Sequence, residues 1–234
     1  RRSCARAARV VVPSEWTKAR LLALAPRLHG RVHVVPNAVE LPSLDAPVPP
    51  HPLPANGYVL HAGHLERRKN LDVVIAALAS FAPAQRPELW LAGADAGALG
   101  TWQRTAARLG VVLRAFGPVD DAALHALYSH AACVVLPSRH EGFGMTALEA
   151  LAHGAPLVAA ACTAIPEVVG PAGALVAPDD VAGWHRALVG AIDAEARNDS
   201  ERERRRGHAA AHKWHESAER QLAAWRAAAQ DARS

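Results

Sequence analysis

The sequence predicts an α/β fold: a Rossmann-like parallel sheet with helices on both faces and a helical C-terminal tail. Three observations carry this. Short apolar runs recur along the chain, at 58–62, 88–92, 133–136 and 156–160, as strands buried on both faces require. Segments with apolar residues at helical spacing alternate with them, the βαβα rhythm of a parallel sheet. The strand-to-helix junctions concentrate glycines and ionisable residues, and in such sheets ligands bind at the carboxyl ends of the strands.

The elements follow in order. Residues 9–12 are a short apolar run that Pro13 ends, and Ser14 is a plausible N-cap for a helix to about residue 25. Residues 31–35 alternate and stop at the turn signal Pro36-Asn37. This makes 1–40 a strand–helix–strand piece. Residues 41–57 hold Pro42, Pro47, Pro49, Pro50, Pro52 and Pro54, closed by Gly57, which reads as a semi-rigid linker and a boundary. Residues 58–194 form the main domain. Its strands are expected at 58–62, 88–92, 111–116, 133–136, 156–160 and 174–176. Its helices are expected near 71–80, 98–109, 121–130, 145–153, 165–169 and 180–194. Residues 195–234 are the tail: a charged segment, then a helix over about 215–230 with Ala218, Leu222, Trp225 and Ala229 at helical spacing. Arg202, Arg204, Arg205 and Arg206 read as a solvated helix face, or as a patch for peripheral contact with anionic lipid.

Composition narrows the function classes. The chain has 234 residues, half of them hydrophobic, enough for one large domain with appendages. A net charge of +4 and 5% aromatic residues give no basic stripe and few rings on which to stack bases, so no nucleic-acid partner is expected. Cys4, Cys133 and Cys162 are odd in number and far apart. They read as free thiols of a reducing compartment, and no CxxC pair points to a metal. No apolar run of about 18 residues and no signal-peptide layout is present. The expected place is the cytoplasm, with the inner face of a membrane as the one membrane option. The chain begins at Arg1 and almost at once enters a strand, which reads as a piece of a longer protein.

The chemistry concentrates in two loops. In E-G-F-G, Glu141 follows a buried strand, and Gly142 and Gly144 let backbone approach a ligand closely. The amides of Phe143, Gly144, Met145 and Thr146 open the next helix, where unpaired N–H groups attract phosphate or hydroxyl oxygens. Glu149 lies one to two turns into that helix and offers two acceptor oxygens to a vicinal diol; the plain alternative is an exposed helix acid. In the other loop, His64, Arg67, Arg68 and Lys69 cluster after a strand. A cation there can neutralise a diphosphate leaving group; the plain alternative is a solvated basic loop.

These motifs resemble the retaining glycosyltransferases of family 4. The similarity lies in P-S-E-W at 13–16, V-V-P-N-A at 34–38, L-E-R-R-K-N at 65–70, F-G-P-V at 116–119, P-S at 137–138 with E-G-F-G-x-x-x-L-E-A at 141–150, and I-P-E-V-V-G at 165–170. It covers nearly the whole chain in the family's order. The resemblance implies the C-terminal, donor-binding half of a GT-B fold, with a nucleotide-sugar donor, a glycan or lipid-linked acceptor and an N-terminal acceptor domain outside this chain. It places Lys69 on the donor diphosphate, Glu141 on the sugar hydroxyls, Glu149 on the ribose and the amides of Gly142 to Thr146 on sugar and phosphate. It places Gly117 to Val119 near the base. Many members have Gly-Arg at Gly63-His64, which leaves His64 or Arg68 as the second phosphate cation, and Asn-Gly where this chain has Asn37-Ala38. No DxD motif is present, so neither a metal nor another cofactor is expected. Without the acceptor domain, Leu222 and Trp225 are expected to expose apolar surface. Two other readings stay open: a nucleotide-sugar epimerase of the same fold, told apart by products formed without acceptor, and a non-catalytic nucleotide-binding module, told apart by calorimetry and a transfer assay.

Overall fold

The computed structural model describes residues 7–45, 47–49 and 51–231. Cys4 and Pro50 lie outside the described residues.

Six parallel strands form the main sheet: β3 (Tyr58–Ala62), β4 (Glu88–Ala92), β5 (Leu113–Ala115), β6 (Cys133–Leu136), β7 (Leu157–Ala160) and β8 (Ala174–Val176). Their order is β5-β4-β3-β6-β7-β8. The chain builds outward from β3 to one edge, returns to β6 and builds outward to the other. The switch point therefore lies between β3 and β6. Every residue of β3, β6 and β7 is buried, which explains their unbroken apolar character. The predicted strand at 111–116 is shorter because the Val111 amide donates to the Ala106 carbonyl at 2.9 Å and closes the preceding helix.

Helices cover both faces. On one, α2 (Leu71–Ala79) packs on α3 (Leu99–Arg108) and on α7 (Val181–Ile192). On the other, α5 (Met145–Ala152) packs on α6 (Ile165–Val169) and on α8 (Asp199–Ala209), with α4 (Asp121–His130) reaching α5 through Tyr128. Gly93 is needed where β4 ends. Its φ is +144°, and a Cβ there would collide with the Gly63 backbone, so the two strand ends meet as only glycine allows.

A smaller unit precedes the sheet. β1 (Val10–Val12) and β2 (Val32–Val34) pair in parallel, joined by α1 (Glu15–Leu24). Ser14 caps α1, accepting from the Thr17 amide at 3.1 Å. The described part of 41–57 has no regular element, yet it is pinned, because the His51 ring stacks on Phe116 at 4.7 Å. The last helix, α9 (Trp214–Asp231), returns to the small unit. Ser217 Oγ donates to the Pro36 carbonyl, and Arg9 pairs with Asp231 at 2.9 Å. Leu222 and Trp225 are exposed, 44% and 61%. Among the described residues no helix is long and apolar enough to cross a membrane.

The arginine cluster is a solvated face only in part: Arg204 is exposed, whereas Arg205 is buried and Arg206 half-buried. It lies on α8, whose N-cap Asn198 accepts from the Glu201 amide at 2.8 Å. Arg205 is buried and donates to the carbonyls of Gly154 and Ala196 at 2.8 and 2.6 Å. Arg206 donates to those of Ala152 and Pro42 at 2.8 and 3.0 Å, and Arg204 to Pro171 at 2.8 Å. The physical reason is the end of α5, whose last carbonyls have no partner within the helix; guanidinium groups satisfy them. Cys133 is a buried free thiol, pushed up to about 12 by burial, and Cys162 is a half-buried free thiol.

Candidate active site

The loops after β3 and β6 meet at the switch point. After β3, Arg67–Lys69 form a single 3-10 turn that ends at Asn70 in the left-handed region, φ 55°. The Asn70 side chain donates to the carbonyls of Pro137 and Pro178 at 3.2 and 2.9 Å. That ties the β3 loop to the loops following β6 and β8. The turn carries Lys69 inward, to 6% exposure.

Lys69 Nζ lies 2.8 Å from Glu141 Oε1, and Arg68 Nη1 is 3.0 Å from the same oxygen. Arg68 also pairs with Glu66 at 2.6 Å and donates to the His140 carbonyl at 2.7 Å. Burial pushes the Glu141 carboxyl up, but the hydrogen bond and charge of Lys69 outweigh it. With help from Ser138 and Arg68 they hold the group below the usual carboxylate range. The Glu141 amide donates to Thr163 Oγ1 at 3.3 Å, and Thr163 has a φ of 56°.

Beside this pair opens a cleft of about 470 Å³. Gly63 and His64 line it from β3, Gly93 from β4, and Pro118 and Val119 from the β5–α4 loop. Met145, Thr146 and Glu149 line it from α5. Lys69 reaches its edge, since a Cβ on Gly63 would stand 3.6 Å from Nζ. Gly117 lies behind the wall, its carbonyl accepting from the Gly93 amide at 2.8 Å. Gly144 initiates α5 with a φ of 110°. The amides of Phe143, Gly144, Met145 and Thr146 make no hydrogen bond among the described residues. The Phe143 ring turns away from the cleft, buried against His212. Gly142 is exposed at the loop's tip. A second hollow of about 460 Å³, between the small unit and α9, has no ionisable side chain in its lining; the charged groups belong to the first.

The structure adds a residue that sequence reasoning missed. Tyr128 Oη donates to Glu149 Oε2 at 2.9 Å. Burial first, then the Glu149 charge, push the Tyr128 hydroxyl well above its ordinary value, so it stays a donor. The Tyr128 ring stacks on His153 at 4.7 Å. His153 in turn bonds the Glu149 carbonyl at 2.7 Å and His125 at 3.0 Å. Glu149 is therefore not a free helix acid; one of its oxygens is occupied. In sequence Tyr128 looks like any apolar-face helix residue, and no signal marked it.

The site can thus hold anions and hydroxyl groups. Lys69 and the α5 amides donate, Glu141 and Glu149 accept, and the cleft between offers apolar walls. Among the described residues no group of three or more His, Cys, Asp or Glu could hold a metal ion.

Comparison with known proteins relates the chain to one family. Residues 56–194 match the family model described as glycosyl transferases group 1. The D-inositol 3-phosphate glycosyltransferase 1 of Catenulispora acidiphila is 32% identical over 248 residues, covering 98% of this chain and 59% of that protein. The glycogen synthase of Mycobacterium tuberculosis is 39% identical over 140 residues, 58% of this chain and 34% of that protein. The solved sucrose-phosphate synthase of Thermosynechococcus elongatus superimposes with a TM-score of 0.75 at 26% identity, covering 96% of this chain and 59% of that one. A structure of Anabaena HepE, in complex with UDP and glucose, has the same fold, with a TM-score of 0.74 at 20% identity over 88% of this chain and 59% of that one. The chain thus spans three-fifths or less of the length of these relatives. By its matched residues and its fold, the chain belongs to the group 1 glycosyl transferases.

Proposed function

We propose that the chain carries the donor site of a family 4 glycosyltransferase. It would move a hexose-type sugar from a nucleoside diphosphate to a glycan or lipid-linked acceptor with retention of anomeric configuration. The observation that carries the reading is the Lys69–Glu141 pair, which bridges the β3 and β6 loops beside a cleft containing Glu149. The relatives' names span inositol phosphate and glycogen. Acceptors that differ while this portion of chain is shared support placing the common donor grip here.

The chemistry follows from the groups present. An ammonium has three N–H donors, so Lys69 can keep its bond to Glu141 and still face a diphosphate. As the bond from the anomeric carbon to the diphosphate oxygen breaks, negative charge grows on the leaving group. Lys69, His64 and the α5 amides stabilise it. The acceptor oxygen forms the new bond on the same face, and its proton passes to the departing diphosphate. Glu141, held ionised, accepts from sugar hydroxyls and is not a nucleophile. Glu149 accepts from the ribose with the oxygen that Tyr128 leaves open. Val119 and Pro118 flank the base. In this scheme the nucleotide sugar is a substrate, and neither a resident cofactor nor a metal takes part. An acceptor-binding domain beyond this chain completes the enzyme.

The test is a transfer assay on the full-length protein with a panel of nucleotide sugars. Lys69→Ala and Glu141→Ala are each expected to lower turnover by about tenfold or more, the size of one lost charge-assisted contact in the transition state, with the fold intact by circular dichroism. Wild-type rates from both variants would reject the site.

A further inference from the structure

The small unit touches the E-G-F-G loop through one helix end. Ser14 Oγ and Thr17 Oγ1 lie 2.7 and 3.0 Å from the Gly142 carbonyl oxygen and 2.9 Å from each other, so two hydroxyl hydrogens are shared among the three contacts and hold that oxygen. Glu167, on α6, accepts the amides of Glu15 and Trp16 at 2.9 and 2.7 Å, one on each carboxylate oxygen. A carboxylate is favoured there because the start of a helix carries partial positive charge. The Trp16 ring meets His140 edge-on at 5.4 Å. Residues 140–142, which include Glu141, are thus bracketed by α1.

The consequence lies in one peptide plane. No described peptide is cis, and in a trans peptide the C=O and the N–H point to opposite sides. Both hydroxyls sit against the Gly142 oxygen, so the plane cannot turn without carrying that oxygen away from the pair. The Phe143 N–H is therefore directed away from α1. It is one of the loop amides that make no hydrogen bond among the described residues.

We propose that Ser14 and Thr17 are positioning residues for recognition of the donor sugar. They aim the Phe143 N–H at a sugar hydroxyl, and so make sugar recognition depend on where α1 lies. The inference rests on the glycosyltransferase reading above. The amides of Met145 and Thr146, at the helix start, face phosphate and are not reached by this coupling. A displacement of the β1–α1–β2 unit would then switch the sugar contact while leaving the nucleotide grip in place.

Two roles of Ser14 can be separated. Capping α1 needs only an acceptor, and Asp caps as well as Ser. Holding the Gly142 carbonyl needs a donor. Ser14→Asp keeps the cap and sets a carboxylate against the carbonyl oxygen. Thr17→Val deletes the second donor with little change of shape. The experiment is calorimetric titration of this chain with UDP, GDP and ADP and with their glucose conjugates. Ser14→Asp is expected to weaken the sugar conjugate about tenfold while the free diphosphate stays within about twofold and thermal stability is kept. Thr17→Val should lower conjugate affinity less, in the same direction. Unchanged conjugate affinity in Ser14→Asp would overturn the inference and leave the donor site standing. So would equal losses for conjugate and free diphosphate, since these mark a structural role alone. Failure of the unaltered chain to bind any of the nucleotides would overturn both.

Discussion

Glu141 lies between two cations, and that decides its charge. Its carboxyl is held below the ordinary range, so its pairing contributes stability in full above the unfolded carboxylate value. The contribution is lost as pH falls through the lower folded value. His61 acts at milder pH. It is fully buried on β3, Nδ1 bonds the Val135 carbonyl at 3.2 Å, and Nε2 has no partner among the described residues. Burial first, then the Lys69 charge, hold it down to about 4 from 6.5. The unfolded chain takes up that proton first, so folding stability declines as pH drops from about 6.5 to about 4 and is independent of this group above that window. Thermal melts across pH 4–7 should show His61→Phe with a flatter acid slope than the unaltered chain; an identical slope would refute the assignment. The acids and Lys69 were legible at this scale because ionisable side chains beside glycines at strand ends are conspicuous. Tyr128, Thr163 and Asn70 were not, since their roles depend on neighbours far away in sequence.

Among the elements, α8 departs furthest from expectation. Its run of arginines reads in one dimension as a charged surface. In three it supplies donors to the carbonyls that end α5, the helix bearing Glu149. Removing such a donor leaves buried acceptors unpaired. Arg205→Met is expected to cost about 1.5–3 kcal/mol in urea unfolding, the range for hydrogen bonds to a charged group, whereas Arg202→Met should cost less. Equal costs would refute a special role for Arg205. The strands and most helices were legible because apolar periodicity reports burial directly. The inward turn of the arginines was not, because amino-acid type alone does not say which carbonyls lie nearby.

At the scale of the molecule, the small unit and the main sheet meet at both ends of the chain, through α1 and through α9. The Glu167 carboxylate is one fastening. Glu167→Gln lowers the charge at the start of α1 and keeps an acceptor for only one of the two amides. Trypsin should then cut faster at Lys18 and Arg20 while nucleotide affinity is unchanged; unchanged cleavage would show that Glu167 does not fasten the unit. The sequence by itself determined the parallel sheet, the order of its elements and the two loops that hold Lys69, Glu141 and Glu149. Hydrophobic period and glycine position are local properties, and local properties survive in one dimension. Only the tertiary structure decided that those loops flank the switch point between β3 and β6, that Tyr128 occupies one oxygen of Glu149, and that α1 grips Gly142. Each is a contact between residues 21 or more positions apart, created when the sheet closes and carried by no local pattern.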